Sequence, residues 1–291
     1  MRENRANEIV AVYADLTRVK LSLAVTFSSV TGYFIFHNSF EINLLFLIAG
    51  VFFLASGSAV MNQYTEISHD ALMGRTMQRP LPRKKINPGT ALLVASGLFC
   101  AGIFFLLLTG LIPALLGVFT VLLYNVVYTT LKRITPLSIV PGALVGAIPP
   151  LIGFEAAGGS VPGYGIILFS GFMFLWQLPH FWLIILKYHK EYETAGFVTI
   201  SHLMTENQIR ILVFLWVLFS TMILVLFSVF GIVFNRYISA ILIPVNIIFI
   251  LAFHYLFFRK SDNEEISGAF ILINSFSFLV KILFIINSFL S

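Results

Sequence analysis

Nine apolar stretches, each about 18 residues or longer, alternate with polar segments along the chain. They cover roughly 19–37, 43–65, 89–109, 111–130, 137–157, 164–187, 209–233, 236–258 and 266–288. Their interiors run through without the two-residue alternation of barrel strands, so each predicts a helix. The expected fold is all-α and integral to a membrane, with nine transmembrane helices around a central cavity.

The segments between the stretches fall into two kinds. Alternate ones are short, at roughly 38–42, 110, 158–163 and 234–235, and two of the other four are long, at roughly 66–88 and 188–208. The long ones follow the second and sixth predicted helices, and each opens with carboxylates: Glu66 and Asp70, then Glu191 and Glu193. This pattern suggests one domain spanning 1–291, built from two four-helix halves and a ninth helix, with both acidic segments facing one cavity.

Composition agrees with the pattern. Of 291 residues, 58% are hydrophobic and 11% charged, and mean hydropathy is +0.94. A soluble domain carries about 25% charged residues. With the N-terminus in the cytoplasm, all of the 18 Lys and Arg except Arg236 and Lys281 lie in inner segments. That satisfies the positive-inside rule, and Lys281 is expected to snorkel outward. The net charge of +5 thus reflects topology, and no nucleic-acid partner is needed to explain it. The single cysteine, Cys100, gives neither a disulfide framework nor a thiolate metal site. The first twenty residues resemble neither a cleaved signal nor a transit peptide, and a bacterial plasma membrane is the expected location.

The chemistry concentrates where the second stretch ends. Asn62, Glu66 and Asp70 follow at intervals of four, then come Arg75, Thr76 and the run Arg79-Pro80-Leu81-Pro82. On a continuous helix, side chains four apart differ by about 40° in direction and about 6 Å in height, which places the three acceptors on one face. Ionisable groups at a membrane boundary are costly unless they hold something. Two carboxylates can share Mg²⁺, and arginines can grip phosphate in bidentate fashion, so a metal carrying a phosphate-rich ligand is the expected occupant. The bland reading is a solvated helix end.

Other candidates are more ambiguous. Glu191 and Tyr188 can face the first acidic segment or sit in an ordinary polar loop. Lys132 and Arg133, after Tyr128, are either inner-face anchors or diphosphate contacts, and the same holds for Arg18 and Lys20. His180, inside the sixth stretch, is either a ligand or a hydrogen-bonded packing residue. Small residues at Gly142-Ala143 and Gly146-Ala147 serve close helix packing or line a cavity. Pro149-Pro150 is expected to break or kink the fifth helix.

Three segments together resemble the UbiA type of intramembrane prenyltransferase, and within it the heme-farnesylating branch, from Leu16 to roughly Arg210. They are Asn62 through Pro82; Tyr128-Thr129 through Lys132-Arg133 and Thr135-Pro136 into Gly153; and Leu175-Trp176-Gln177 with Pro179-His180-Phe181-Trp182. The superfamily at large favours Asp at the middle acidic position, and Glu66 is similar to the heme branch. The chain departs from the family in having Glu191-Tyr192 for Asp-Tyr, Arg18-Val19-Lys20 for Lys-Pro-Arg, and Phe197-Val198-Thr199-Ile200 for Pro-Met-Leu-Pro.

The resemblance implies farnesyl diphosphate, heme b and water as substrates, with Mg²⁺ as cofactor and heme O and diphosphate as products. It implies catalytic roles for Asn62, Glu66, Asp70 and Glu191, with the last three as metal ligands. It implies substrate contacts from Arg18, Lys20, Arg75, Arg79, Tyr128, Lys132, Arg133, His180 and Tyr188. Heme A synthase or terminal oxidase assembly factors are candidate partners. A sibling reading is an aromatic prenyltransferase of quinone or chlorophyll-type lipids, against which Glu66 and the Trp176–Trp182 segment speak. A transporter would want ionisable groups at mid-membrane, and a non-catalytic heme-binding assembly protein would not need paired acids beside arginines.

Overall fold

The computed structural model describes residues 2–161, 163–229, 235–259 and 263–290, and contains no strand among them. The helices are α1 (Arg2–Leu16), α2 (Val19–Phe36), α3 (Ile42–Thr65), α4 (Ile67–Asp70), α5 (Pro88–Thr109), α6 (Leu111–Leu122), α7 (Thr129–Leu131), α8 (Ile139–Ala156), α9 (Tyr164–Thr194), α10 (Glu206–Val229), α11 (Arg236–Phe258) and α12 (Asn263–Leu290). A π-helical turn, Leu123–Tyr128, joins α6 to α7. Among the described residues, nine segments are long and apolar enough to cross a membrane, matching the nine predicted stretches. Residues 230–233 of the seventh stretch, and Lys260, lie outside the described residues.

Local signals explain several helix starts. The Asn87 side chain accepts from Gly89 N at 2.9 Å, and Pro88 fills the first helical position of α5. Asn235 likewise accepts from the N–H groups of Tyr237 and Ile238.

α3, α8 and α9 are the most enclosed spans, whereas α5, α6 and α11 turn most of their surface outward. Exposed Leu93, Phe119, Ile211, Leu251 and Ile271 form the apolar exterior expected against lipid. One buried cluster joins α2, α3 and α6 to α8, and another joins α8 and α9 to α10, α11 and α12. α8 belongs to both.

Four expectations about local structure are corrected. Pro149 and Pro150 do not break α8, which is helical from Ile139 to Ala156. The helix is clamped there: a Cβ on Gly32 of α2 would stand 1.9 Å from the Pro150 carbonyl oxygen. Packing that close holds the backbone in place despite the lost N–H groups. The helix carrying Asn62 is not continuous to Asp70. It ends at Thr65, and Glu66 departs to φ −113°, ψ 13° before α4 begins.

The second acidic segment is not a loop at its start. α9 kinks at Tyr188 (φ −120°, ψ 21°) and stays helical to Thr194, so Glu191 and Tyr192 stand on a helix. Lys281 does not snorkel: it is 7% exposed, inside the packing of α12. The Gly142–Ala147 patch serves packing. Ala143 and Ala147 are buried, a Cβ on Gly142 would meet Tyr128 and Phe181, and one on Gly146 would meet Gln177.

Candidate active site

The last turn of α3 and the chain after it bring the first motif into the interior. Asn62, Glu66 and Asp70 are all buried. Asn62 Nδ2 donates to Thr129 Oγ1 at 3.5 Å, and that hydroxyl donates to the Tyr124 carbonyl at 2.9 Å. Glu66 forms an ion pair with Lys132. Arg79 Nη1 donates to Asp70 Oδ2 at 2.6 Å, and Thr76 Oγ1 donates to the Asp70 carbonyl at 2.9 Å. Neither carboxylate is left as an uncompensated buried charge, which would cost several kcal/mol.

The two acidic segments meet, as their spacing predicts. Arg75 N donates to Glu191 Oε2 at 3.1 Å, and Arg75 Nη2 donates to the Tyr192 hydroxyl at 3.2 Å. The same guanidinium lies over the rings of Tyr188 (5.4 Å) and Tyr192 (5.7 Å). Beside this contact, Met73 packs with Ala195 and Phe197, and the Phe197 ring lies tilted against His69 at 5.1 Å.

Cations converge on the acids from two further segments. Arg18 joins α1 to α2 in the left-handed conformation (φ 48°, ψ 53°), uncommon for a residue other than glycine. Gln63 fixes that turn, donating to the carbonyls of Asp15 and Leu16 at 3.1 and 2.8 Å. Burial pushes the Arg18 guanidinium below the usual arginine range. Neighbouring Arg79 and Arg75 add to this, while Tyr124 and Asp70 oppose it. Burial likewise lowers Lys132, against the pull of Glu66. Its ammonium also lies over Tyr128 (5.3 Å) and Phe197 (5.2 Å). Like charges pressed together in this way are a site prepared for an anion.

Not every expected residue takes this place. Lys20 is exposed, and no hydrogen bond or ion pair ties it to the cluster among the described residues. Arg133 Nη2 donates to the Thr65 carbonyl at 2.9 Å, so it caps the end of α3. Arg133→Gln is therefore expected to cost about 1.5–3 kcal/mol in thermal unfolding, with substrate affinity reduced less than stability. His180 lies deeper along α9, between Trp176 (5.0 Å) and Phe270 (4.9 Å), and does not touch the acids.

Sequence reasoning missed several contributors. Gln63 and Tyr124 carry no charge and fit an ordinary membrane helix equally well, and Thr129 and Tyr192 enter the sequence reading only as neighbours within family motifs. The π turn that stacks Tyr124 on Tyr128 at 5.6 Å leaves no mark in the apolar pattern, although such turns favour functional sites.

Among the described residues, no three His, Cys, Asp or Glu side chains stand together as a ready-made metal shell. The donor chemistry nevertheless fits Mg²⁺. Glu66 and Asp70 each give one oxygen, Oε1 and Oδ2, to a cation. Mg²⁺ needs only one or two carboxylates when waters and substrate phosphate complete its shell. Glu191 Oε2 accepts the Arg75 backbone N–H, which joins the two segments. Two clefts of about 430 and 420 Å³ lie elsewhere, one between α1 and the start of α5, the other beside Phe34, His37 and Phe154.

An anionic head group held at one end of an apolar bundle, with its tail among the helices, is what an intramembrane prenyltransferase must accommodate, and the protein is of that class. The chain belongs to the UbiA prenyltransferase family, whose model matches residues 24–279. It is 40% identical to the protoheme IX farnesyltransferase of Geobacter sulfurreducens, over 62% of this chain and 67% of that one. It is 31% identical to the protoheme IX farnesyltransferase of Christiangramia forsetii, over 99% and 96%. Among solved structures it is similar to a digeranylgeranylglyceryl phosphate synthase (TM-score 0.78, 17% identity, 98% of this chain and all of that one). It is also similar to a UbiA homologue from Archaeoglobus fulgidus bound to DMAPP and Mg²⁺ (TM-score 0.70, 14% identity, 92% and 98%). Identities this low establish the fold.

Proposed function

We propose that this protein transfers the farnesyl group of farnesyl diphosphate to a vinyl group of heme b, with addition of water, giving heme O and diphosphate. The observation that carries the reading is the junction of the two acidic segments, where Arg18, Arg75, Arg79 and Lys132 surround Glu66, Asp70 and Glu191. The acceptor follows from the protoheme IX farnesyltransferases to which the chain is similar over nearly its whole length.

Glu66 and Asp70 would hold Mg²⁺, which neutralises charge developing on the leaving diphosphate. Arg75, Arg79 and Arg18 supply fixed positive charge around the same group, in place before the reaction begins. Arg79 and Lys132 are held by carboxylates here, so they are positioned and can exchange those partners for phosphate oxygens. The allylic C–O bond breaks and its electron pair leaves with diphosphate. The vinyl π pair forms the new C–C bond to the farnesyl carbon. Water adds to the carbon cation that results and loses a proton. The stacked rings of Tyr124, Tyr128 and Phe181 present an apolar surface that keeps water from the first cation. Burial of the isoprenoid tail among the helices contributes about 0.8 kcal/mol per CH₂.

The protein is a multi-pass membrane protein, and the charge distribution supports a bacterial plasma membrane with the acidic end facing the cytoplasm. Purified protein given heme b, farnesyl diphosphate and Mg²⁺ is expected to yield heme O, identified by mass. Prenylation of a quinone precursor in place of heme would favour the sibling reading.

A further inference from the structure

α12 carries a polar stripe that the chemistry at the acidic end does not use. Asn274, Ser277 and Lys281 follow at intervals of three and four, so they share one helix face. Lys281 stands nine residues before the last residue of the helix, Leu290, which is about 13 Å of rise, too deep for a simple surface anchor. It is 7% exposed, and no carboxylate or hydrogen-bond acceptor partners it among the described residues. Its ammonium lies over the Trp176 ring at 5.6 Å.

The neighbours are also incompletely satisfied. Trp176 spends its indole N–H on the Ile273 carbonyl at 3.0 Å. The Asn274 amide lies beside the His180 ring, yet His180 Nδ1 has no partner, and neither has Ser277 Oγ. Phe270 and Trp176 flank the imidazole. A buried cation and two open polar atoms among aromatic faces, deep in a membrane bundle, are costly unless an occupant compensates them. The occupant must be anionic at one edge and flat and apolar elsewhere.

We propose that Lys281 receives a carboxylate of the prenyl acceptor, with the Trp176–His180–Phe270 surface against the acceptor's ring. This rests on the heme reading above. Farnesyl diphosphate carries its charge on phosphate, for which the arginines at the acidic end are in place, whereas heme b carries two propionates. The pair would fix the acceptor edgewise, with the carboxylates at Lys281 and the vinyl groups directed toward the acids. Lys281 is thus a positioning residue for the acceptor.

The test compares heme b with its dimethyl ester, which lacks the carboxylate charge, in wild type, Lys281→Met and Lys281→Arg. Binding is read from the Soret band, and KM is measured separately for each substrate. Wild type and Lys281→Arg are expected to bind heme b about tenfold or more tightly than the ester, and Lys281→Met to bind both alike. KM for farnesyl diphosphate should not move in any of them. Lys281→Gln serves as the neutral variant should the methionine form fail to insert. Equal binding of acid and ester by wild type, or undiminished discrimination by the neutral variant, would overturn the assignment. Heme O production by wild type alongside either result would leave the heme reading standing. Its absence from wild type would remove that reading and this one together.

Discussion

Asp70→Asn is expected to lower turnover by at least about 10²-fold while the protein still inserts and folds. The substitution keeps the shape of the side chain and removes its charge. Asp70 is 3% exposed and meets Arg79 at 2.6 Å, so its loss acts twice. One of the two carboxylates proposed to hold Mg²⁺ disappears, and Arg79 loses the charged partner that holds it. The Thr76 hydroxyl still donates to the Asp70 carbonyl, so the turn between α4 and the Arg79 segment should persist. Unfolding in detergent and turnover should therefore separate, with the second far more affected. Near-normal heme O production by this variant would remove the metal role from Asp70.

Gly153→Val is expected to do the opposite, emptying the membrane of folded protein without touching the chemistry. A Cβ at Gly153 would stand 1.8 Å from the Ser29 carbonyl oxygen and 2.8 Å from Tyr33 N. Both are backbone atoms of α2, so no side-chain rotation relieves the clash. Gly32 faces Pro150 across the same seam in the reciprocal way. Separating α2 from α8 opens the cluster containing Tyr33, Phe34, Ile148 and Ile152, and the cost should be about 3 kcal/mol or more. Gly97→Ala provides the control. A Cβ there meets nothing within 4 Å, and alanine favours a helix, so thermal stability should hold or rise. Comparable losses for both substitutions would contradict the close-packed seam.

The nine spans were legible because a bilayer demands long apolar runs, and that demand overrides finer propensities. The meeting of the two acidic segments was legible too, since equal spacing in helices put both at one end of the bundle. What escaped notice depends on contacts between segments distant in sequence. Nothing near Gln63 tells that it caps α1, and nothing near Arg133 tells that it caps α3. Pro149-Pro150 reads as a break because the local rule is sound for an isolated helix, but α2 pressed against the Pro150 carbonyl holds α8 in line. Lys281 reads as a snorkelling residue because its burial against Trp176 depends on where α9 lies. Glu66 reads as mid-helix because its departure from helical geometry interrupts neither the apolar pattern nor the four-residue hydrogen bonds on either side.

The central claim is that the junction of the two acidic segments cleaves the prenyl diphosphate. Release of diphosphate by the purified protein tests it most directly, followed in the presence and absence of Mg²⁺ and heme b. Diphosphate and heme O are expected to form one for one, only when farnesyl diphosphate, heme b and Mg²⁺ are all present. Release should vanish when Glu66→Gln and Asp70→Asn are combined. Release at the wild-type rate by that double variant would contradict the claim.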